Sequence, residues 1–327
     1  MCTSLTFEST QKNHFLARTM DFGFELDGRP IAMPRNHAWT THFGQKQQSP
    51  YGFVGTGRKL EEYFFADGVN EKGLSIAELY FLDEAKYVPE PVENKLNLAP
   101  HEFILWVLGE IATIDELKQR IDEIVLVNAP VSLLGITVPL HFIITDRTGK
   151  SVVVETNSGT IEIKDNPIGV MTNSPEFEWH LKNLNNYIFI KPTNNPATSI
   201  DGYELKPFGQ GSGTFGLPGG YTSPERFART VYTRHLTEKG QTTGDAVNAV
   251  FHILDNVTIP KGVNIKNDGS VDYTQYRAIM DVDDLVYYLN PYSTQDVFSV
   301  TLTEELLTAS EPTEFGIEAT FKATSLN

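Results

Sequence analysis

Cys2 is the second residue of the chain and the only cysteine among 327. With Met1 removed, its thiol and a free α-amine sit on one residue, so the residue carries both a nucleophile and a base. An α-amine titrates near ~7.7–8.0 and a free thiol near ~8.5, both close to working pH. The amine can take the thiol proton directly or through one water, and the thiolate can then attack a carbonyl carbon. The small side chain at position two permits trimming of Met1. The plain alternative is a small apolar cysteine packed at a chain end.

Three downstream residues suit this chemistry. Arg18 offers a guanidinium that stabilises a thiolate, and Asp21 a carboxylate that accepts from and orients an α-ammonium. Residues i and i+3 of a regular strand point to opposite faces, so both reach Cys2 only if a bulge or bend falls between them. Asn173, before Ser174-Pro175, carries an amide that can donate to a tetrahedral oxyanion; the ordinary use of asparagine there is an Asx turn.

Other chemistries are excluded. Gly211-Ser212-Gly213-Thr214-Phe215-Gly216 has dinucleotide-loop spacing, but no strand precedes it and Pro218-Gly219-Gly220 follows where a helix should open. Asp281-Val282-Asp283-Asp284 lacks calcium-loop spacing and reads as a solvated turn. The eight histidines show no metal-ligand spacing, and there is no G-x-S-x-G elbow. A formal net charge of −16 leaves no basic stripe for nucleic acid or an anionic membrane. One cysteine permits no internal disulfide, no apolar leader is present, and no run of about 18 apolar residues exists. The expectation is a soluble cytoplasmic protein.

The elements that must hold these residues read as strands, then helices, then strands, helices and strands. Residues 2–9 alternate and pair with a strand over 14–25 through a turn near Gln11–Asn13. Short strands follow at 30–34 and 51–56. Asp67-Gly68 and Lys72-Gly73 read as turns before a strand ending at Tyr80-Phe81, and 82–99 as a loop. Ile104, Val107, Leu108 and Ile111 form one helical stripe. Thr113-x-x-Glu116 reads as a capping box opening the next helix. Strands return at 138–145, 151–156 and 160–164, then a helix at about 176–186. Residues 187–222 are long and irregular, as functional or interface segments are. Ser223-Pro224 reads as N-cap and first turn of a helix bearing Arg226 and Phe227, and Val247, Val250, Phe251 and Leu254 mark another. Strands at 271–280, 285–289 and 296–302 close the chain. Strands in runs imply an α+β protein of antiparallel sheets with helices outside, in one domain over 1–327.

In order, Met1-Cys2-Thr3-Ser4, Ala17-Arg18-Thr19-Met20-Asp21-Phe22, Pro34-Arg35-Asn36, the run from Ala66 to Leu74, Gly169-Val170-Met171-Thr172-Asn173-Ser174-Pro175, Gly209-Gln210-Gly211, Gly216-Leu217-Pro218-Gly219 and Arg226-Phe227 give the chain its resemblance to a known family. It resembles the choloylglycine hydrolases, the bile salt hydrolases and penicillin V acylases among N-terminal-nucleophile (Ntn) hydrolases. The resemblance covers essentially the whole chain and implies a four-layer αββα sandwich. It implies hydrolysis of a linear amide without metal or cofactor, with Cys2 as nucleophile and Arg18, Asp21, Asn173 and Arg226 completing the site. It implies an oxyanion hole made by the Asn173 side chain and a backbone N–H near Tyr80. It also implies a homotetramer tied together by the irregular arm at about 187–222. Bile salt hydrolases typically carry asparagine where this chain has Tyr80, and penicillin V acylases carry tyrosine. A tyrosine face stacks on a phenoxy ring for roughly 0.5–1.5 kcal/mol beyond burial. The expectation is therefore an amidase that cuts the side-chain amide of penicillin V or related N-acyl amides. The alternatives are a hydrolase of glycine- and taurine-conjugated bile salts, and a non-catalytic ligand-binding protein on the same fold.

Overall fold

The computed structural model describes residues 1–60, 62–131 and 134–327. Two antiparallel sheets form its centre. The first has seven strands, with Cys2–Glu8 between Val170–Met171 and His14–Phe22, and Val271–Asp281 beyond the latter. The second has nine, with Ser75–Tyr80 between Asp67–Asn70 and Leu140–Thr145.

Strand alternation explains the layering. In the second sheet Ala77, Leu79, Ile143 and Val153 face the first sheet, in a core shared with Leu5, Leu16, Ala17 and Ile279. Ile76, Phe142, Ile144, Val152 and Val154 face the other way, onto helices Phe103–Glu110 and Ile114–Arg120 through Phe103, Trp106, Val107 and Leu117. The first sheet is covered by helices Ser223–Leu236 and Thr243–Asp255, whose Phe227, Val250 and Leu254 join the core. Apolar residues at both parities make both faces of a strand buried, and the result is helix, sheet, sheet, helix.

Several local expectations are corrected. Thr222, not Ser223, is the N-cap of the helix carrying Arg226, its N–H and hydroxyl both donating to the Glu225 carboxylate; Ser223 and Pro224 are its first residues. Thr113 Oγ1 accepts from the Glu116 N–H, but the Glu116 carboxylate reaches back to Ala112 N, one residue further out. The loop over 82–99 contains a short strand, Leu96–Leu98, parallel to Ile124–Leu126. The irregular arm contains a small hairpin, Thr198–Ile200 with Tyr203–Leu205. Asp67-Gly68 is not a turn. Asp67 opens the strand Asp67–Asn70 and is fully buried, because its carboxylate has four partners inside the sandwich.

Close backbone approach protects that position. A Cβ on Gly55 would come within 2.0 Å of the Asp67 carbonyl oxygen. Gly55→Ala must therefore push apart the strands Phe53–Lys59 and Asp67–Asn70. A loss of about 1–3 kcal/mol is expected in urea unfolding, with a fall in activity because Asp67 is displaced.

Candidate active site

Pairing within the first sheet assembles the site. Cys2 lies opposite Met20 and Thr3 opposite Thr19. Side chains at even positions of the strand His14–Phe22 share a face, so Arg18 and Met20 project with the Cys2 thiol. Arg18 Nη2 donates to Cys2 Sγ at 2.9 Å and also approaches Met20 Sδ at 3.5 Å. Thr19 and Asp21 take the other face, where Thr19 Oγ1 donates to Asp21 Oδ2 at 3.0 Å. No bulge separates Arg18 from Asp21. The irregularity falls in the partner strand, between Thr274 and Tyr276. Arg18 and Asp21 thus flank the N-terminal strand from its two faces, one at the thiol and one near the start of the backbone.

Arg18 is fully buried. Its Nη1 donates to Ala66 O at 3.0 Å and to Asp67 Oδ2 at 3.2 Å, and its Nε to Thr19 O. Burial alone would lower its pKa. Cys2, Tyr276 and Asp67 outweigh that and hold its pKa above the ordinary arginine range. Asp67 is gripped in turn by Tyr276 Oη at 2.7 Å and Tyr287 Oη at 2.5 Å, while Tyr287 also bonds Thr56. Burial, then the charge of Asp67, keeps both phenols protonated well above their usual range, so they act as donors. Asp67 is a site residue that sequence reasoning assigned to a turn, since Asp-Gly is a strong turn signal.

On the other face, Asp21 is fully buried and accepts from Thr274 Oγ1 at 2.5 Å. Burial raises its pKa, and the charges of Arg226 and the chain's amino terminus oppose that rise. The Met1 ammonium donates to Asp21 O at 2.6 Å. Arg226, also fully buried, spans the start of the chain. Its Nη1 donates to Cys2 O at 2.5 Å and Thr3 Oγ1 at 2.6 Å, and its Nη2 to Asn173 Oδ1 at 2.7 Å. Burial lowers its pKa against the pull of Asp21 and Cys2.

Asn173 follows the edge strand Val170–Met171. Its Oδ1 accepts from Cys2 N at 2.8 Å and from Arg226, which orients the amide, and its Nδ2 donates to Tyr80 O at 2.7 Å. It is therefore the Tyr80 carbonyl that faces Asn173, and the amide keeps a second N–H for another acceptor. The Asn173 backbone is held by Ser223 Oγ, which accepts from its N–H and donates to its carbonyl, and by His180 Nε2 on the same carbonyl at 2.9 Å. All six sequence-nominated residues, Cys2, Arg18, Asp21, Tyr80, Asn173 and Arg226, meet in one region.

Cys2 lines a largely apolar cavity together with Met20, Phe22, Leu60, Phe65, Tyr80 and Leu134 among others. Tyr80 meets Phe22 edge-on, with ring centroids 6.2 Å apart. Among the described residues, no three His, Cys, Asp or Glu side chains are placed to hold a metal ion. No helix among them is long and apolar enough to cross a membrane.

A thiol on the first strand of a two-sheet sandwich, held by a buried arginine beside an asparagine amide, defines an Ntn hydrolase. Residues 2–315 match the model of the linear amide C–N hydrolases, choloylglycine hydrolase family. The chain is 33% identical over 329 residues to a bile salt hydrolase/transferase of Clostridium perfringens, covering 100% of both chains. The crystal structure of a C2A conjugated bile acid hydrolase from the same organism superposes with a TM-score of 0.93 at 32% identity, again over 100% of both. A penicillin V acylase of Pectobacterium atrosepticum is 27% identical over 280 residues, covering 81% of this chain and 67% of that one. The chain belongs to the choloylglycine hydrolase family and is a linear amide C–N hydrolase.

Two stability outcomes follow. Asp67→Ala leaves the buried Arg18 without its carboxylate, and a loss of about 3–5 kcal/mol is expected by chemical denaturation. Burial lowers His180 to about 4, below its value of about 6.5 in an unfolded chain. The unfolded state then binds more protons, so this contribution is complete above about pH 6.5 and is lost as pH falls toward about 4. Melting temperatures across that window should fall less steeply in His180→Gln.

Proposed function

We propose that this enzyme hydrolyses the amide of glycine- and taurine-conjugated bile salts. The observation that carries the reading is the Cys2 thiol, 2.9 Å from a buried guanidinium, at the wall of an apolar cavity. The full-length likeness to hydrolases named for bile salts supports it. Met1 leaves, and the freed Cys2 amine takes the thiol proton. The thiolate attacks the amide carbon, with Arg18 holding the sulfur's charge. Asn173 donates its second N–H to the oxyanion, in a position set by Arg226 and Ser223. Asp21, through Thr19 and Thr274, keeps negative charge near the amino terminus. The amine departs and water cleaves the thioester.

Tyr80 favours a second reading, penicillin V. Its ring lines the cavity beside Phe22 and offers a face to a phenoxy group. Sequence alone puts this reading first; the full-length likeness to hydrolases named for bile salts favours the other order. Stacking is worth about one decade in rate, and Tyr80 is one residue in a wall that is mostly apolar. The relative named for penicillin V is less similar and covers less of the chain.

We also propose a homotetramer tied by the arm at 187–222. Ile188, Phe189, Tyr203, Phe208 and Phe215 are exposed along it, Phe208 completely. Apolar side chains so grouped mark an interface. The cytoplasm suits this protein, whose one cysteine must stay reduced.

The deciding experiment compares kcat/KM on glycocholate, taurocholate and penicillin V, using protein whose N-terminal Cys2 is verified by intact mass. Preference for the conjugates is expected; clear preference for penicillin V would replace this reading with the second. Cys2→Ser should lose nearly all turnover, since a hydroxyl is far less acidic than a thiol, and near-native rates would end the thiolate mechanism. Sedimentation should give a tetramer, which charged substitutions at Phe189 and Phe208 dissociate.

A further inference from the structure

The cavity wall is apolar except at a few places, and one of these is anomalous. Glu78 lies in the strand Ser75–Tyr80, paired with Phe142 and flanked in the chain by Ala77 and Leu79. It lines the cavity that holds Cys2. Its Oε2 is buried, and among the described residues it has no hydrogen-bond partner. His101 lines the same cavity, stacked on Phe64 with centroids 4.8 Å apart, and its Nδ1 is likewise buried and unpartnered.

An unpaired buried polar group costs about 1–3 kcal/mol. Leucine would pack at Glu78 without that cost. Such local violations are found where function repays them. Burial raises Glu78 to about 8; Arg18 opposes this and Asp67 reinforces it. Burial lowers His101 to about 4. Both are therefore neutral near pH 7, so Glu78 is a carboxylic acid with one donor and free acceptors. A cationic ligand group would have to shed its water in an apolar cavity and face Arg18. A hydroxyl matches a neutral acid at far lower desolvation cost.

We propose that Glu78, with His101 on the same wall, recognises a hydroxyl group carried by the otherwise apolar acyl half of the substrate. The acyl half is the part that an apolar cavity receives, while the charged amine half stays toward solvent. This rests on the reading of Cys2 as the nucleophile of an N-acyl amide hydrolase, and it names what the acyl pocket selects.

The test uses two substrate pairs that keep the amide and change the acyl hydroxyls: glycocholate against glycolithocholate, and para-hydroxypenicillin V against penicillin V. The wild-type enzyme should favour the hydroxyl-richer member of whichever pair it turns over. Glu78→Leu should cut that preference about tenfold in kcat/KM, and Glu78→Gln, which keeps a donor and an acceptor, by less. The melting temperature of Glu78→Leu should not fall, because an unpaired polar group has been removed. Equal losses on both members of a pair, or a lowered melting temperature with unchanged selectivity, would overturn the proposal and make Glu78 structural. Turnover of the penicillins alone would sink the bile salt reading, and the penicillin pair would then decide this one. Turnover of neither pair would overturn both.

Discussion

The site depends on one buried charge. Arg18 sits between the Cys2 sulfur and the Asp67 carboxylate with no contact to water. A guanidinium in that position is tolerable only if its charge is matched and its N–H groups are spent. The sandwich meets both conditions. Asp67 comes from the second sheet, Cys2 and Arg18 from the first, and Tyr276 and Tyr287 bind the far side of the carboxylate. The charge that steadies the sulfur is therefore also a bond between the two sheets.

Around this pair, the chain start is clamped from both faces of one strand. Arg18 takes the thiol side, and Arg226, Asp21 and Thr274 take the backbone side. A side chain on a strand held this way needs little reorganisation. The corner bearing Asn173 is fixed with similar redundancy by Ser223 and His180, so the amide that receives Arg226 is pre-aimed.

The cavity beside this rigid centre is less constrained. Its wall combines Tyr80 and Phe22, which suit an aromatic ring, with Glu78 and His101, whose polarity packing does not require.

The sequence by itself determined much of the succession of strands and helices along the chain and the class of chemistry. Alternation gave strands over 2–9 and 14–25, which the structure bounds as Cys2–Glu8 and His14–Phe22, helical spacing gave the stripe at Ile104 to Ile111, and the motifs around Cys2, Arg18, Asp21, Asn173 and Arg226 gave the resemblance that implies an amidase. These are local signals: periods of two and of 3.6, and short motifs in a fixed order. Tertiary structure decided the rest. Asp67-Gly68 has the chemistry of a turn, yet Asp67 is buried because Arg18 and two tyrosines from distant strands meet it. Arg18 and Asp21 need no bulge between them, because the two sides of Cys2 ask for different partners. Glu78 carried no sequence signal, since an acidic residue between apolar ones reads as one solvated position on a strand. Only the packing of both sheets and the helices shows that this position lines a cavity and that its buried Oε2 has no partner among the described residues.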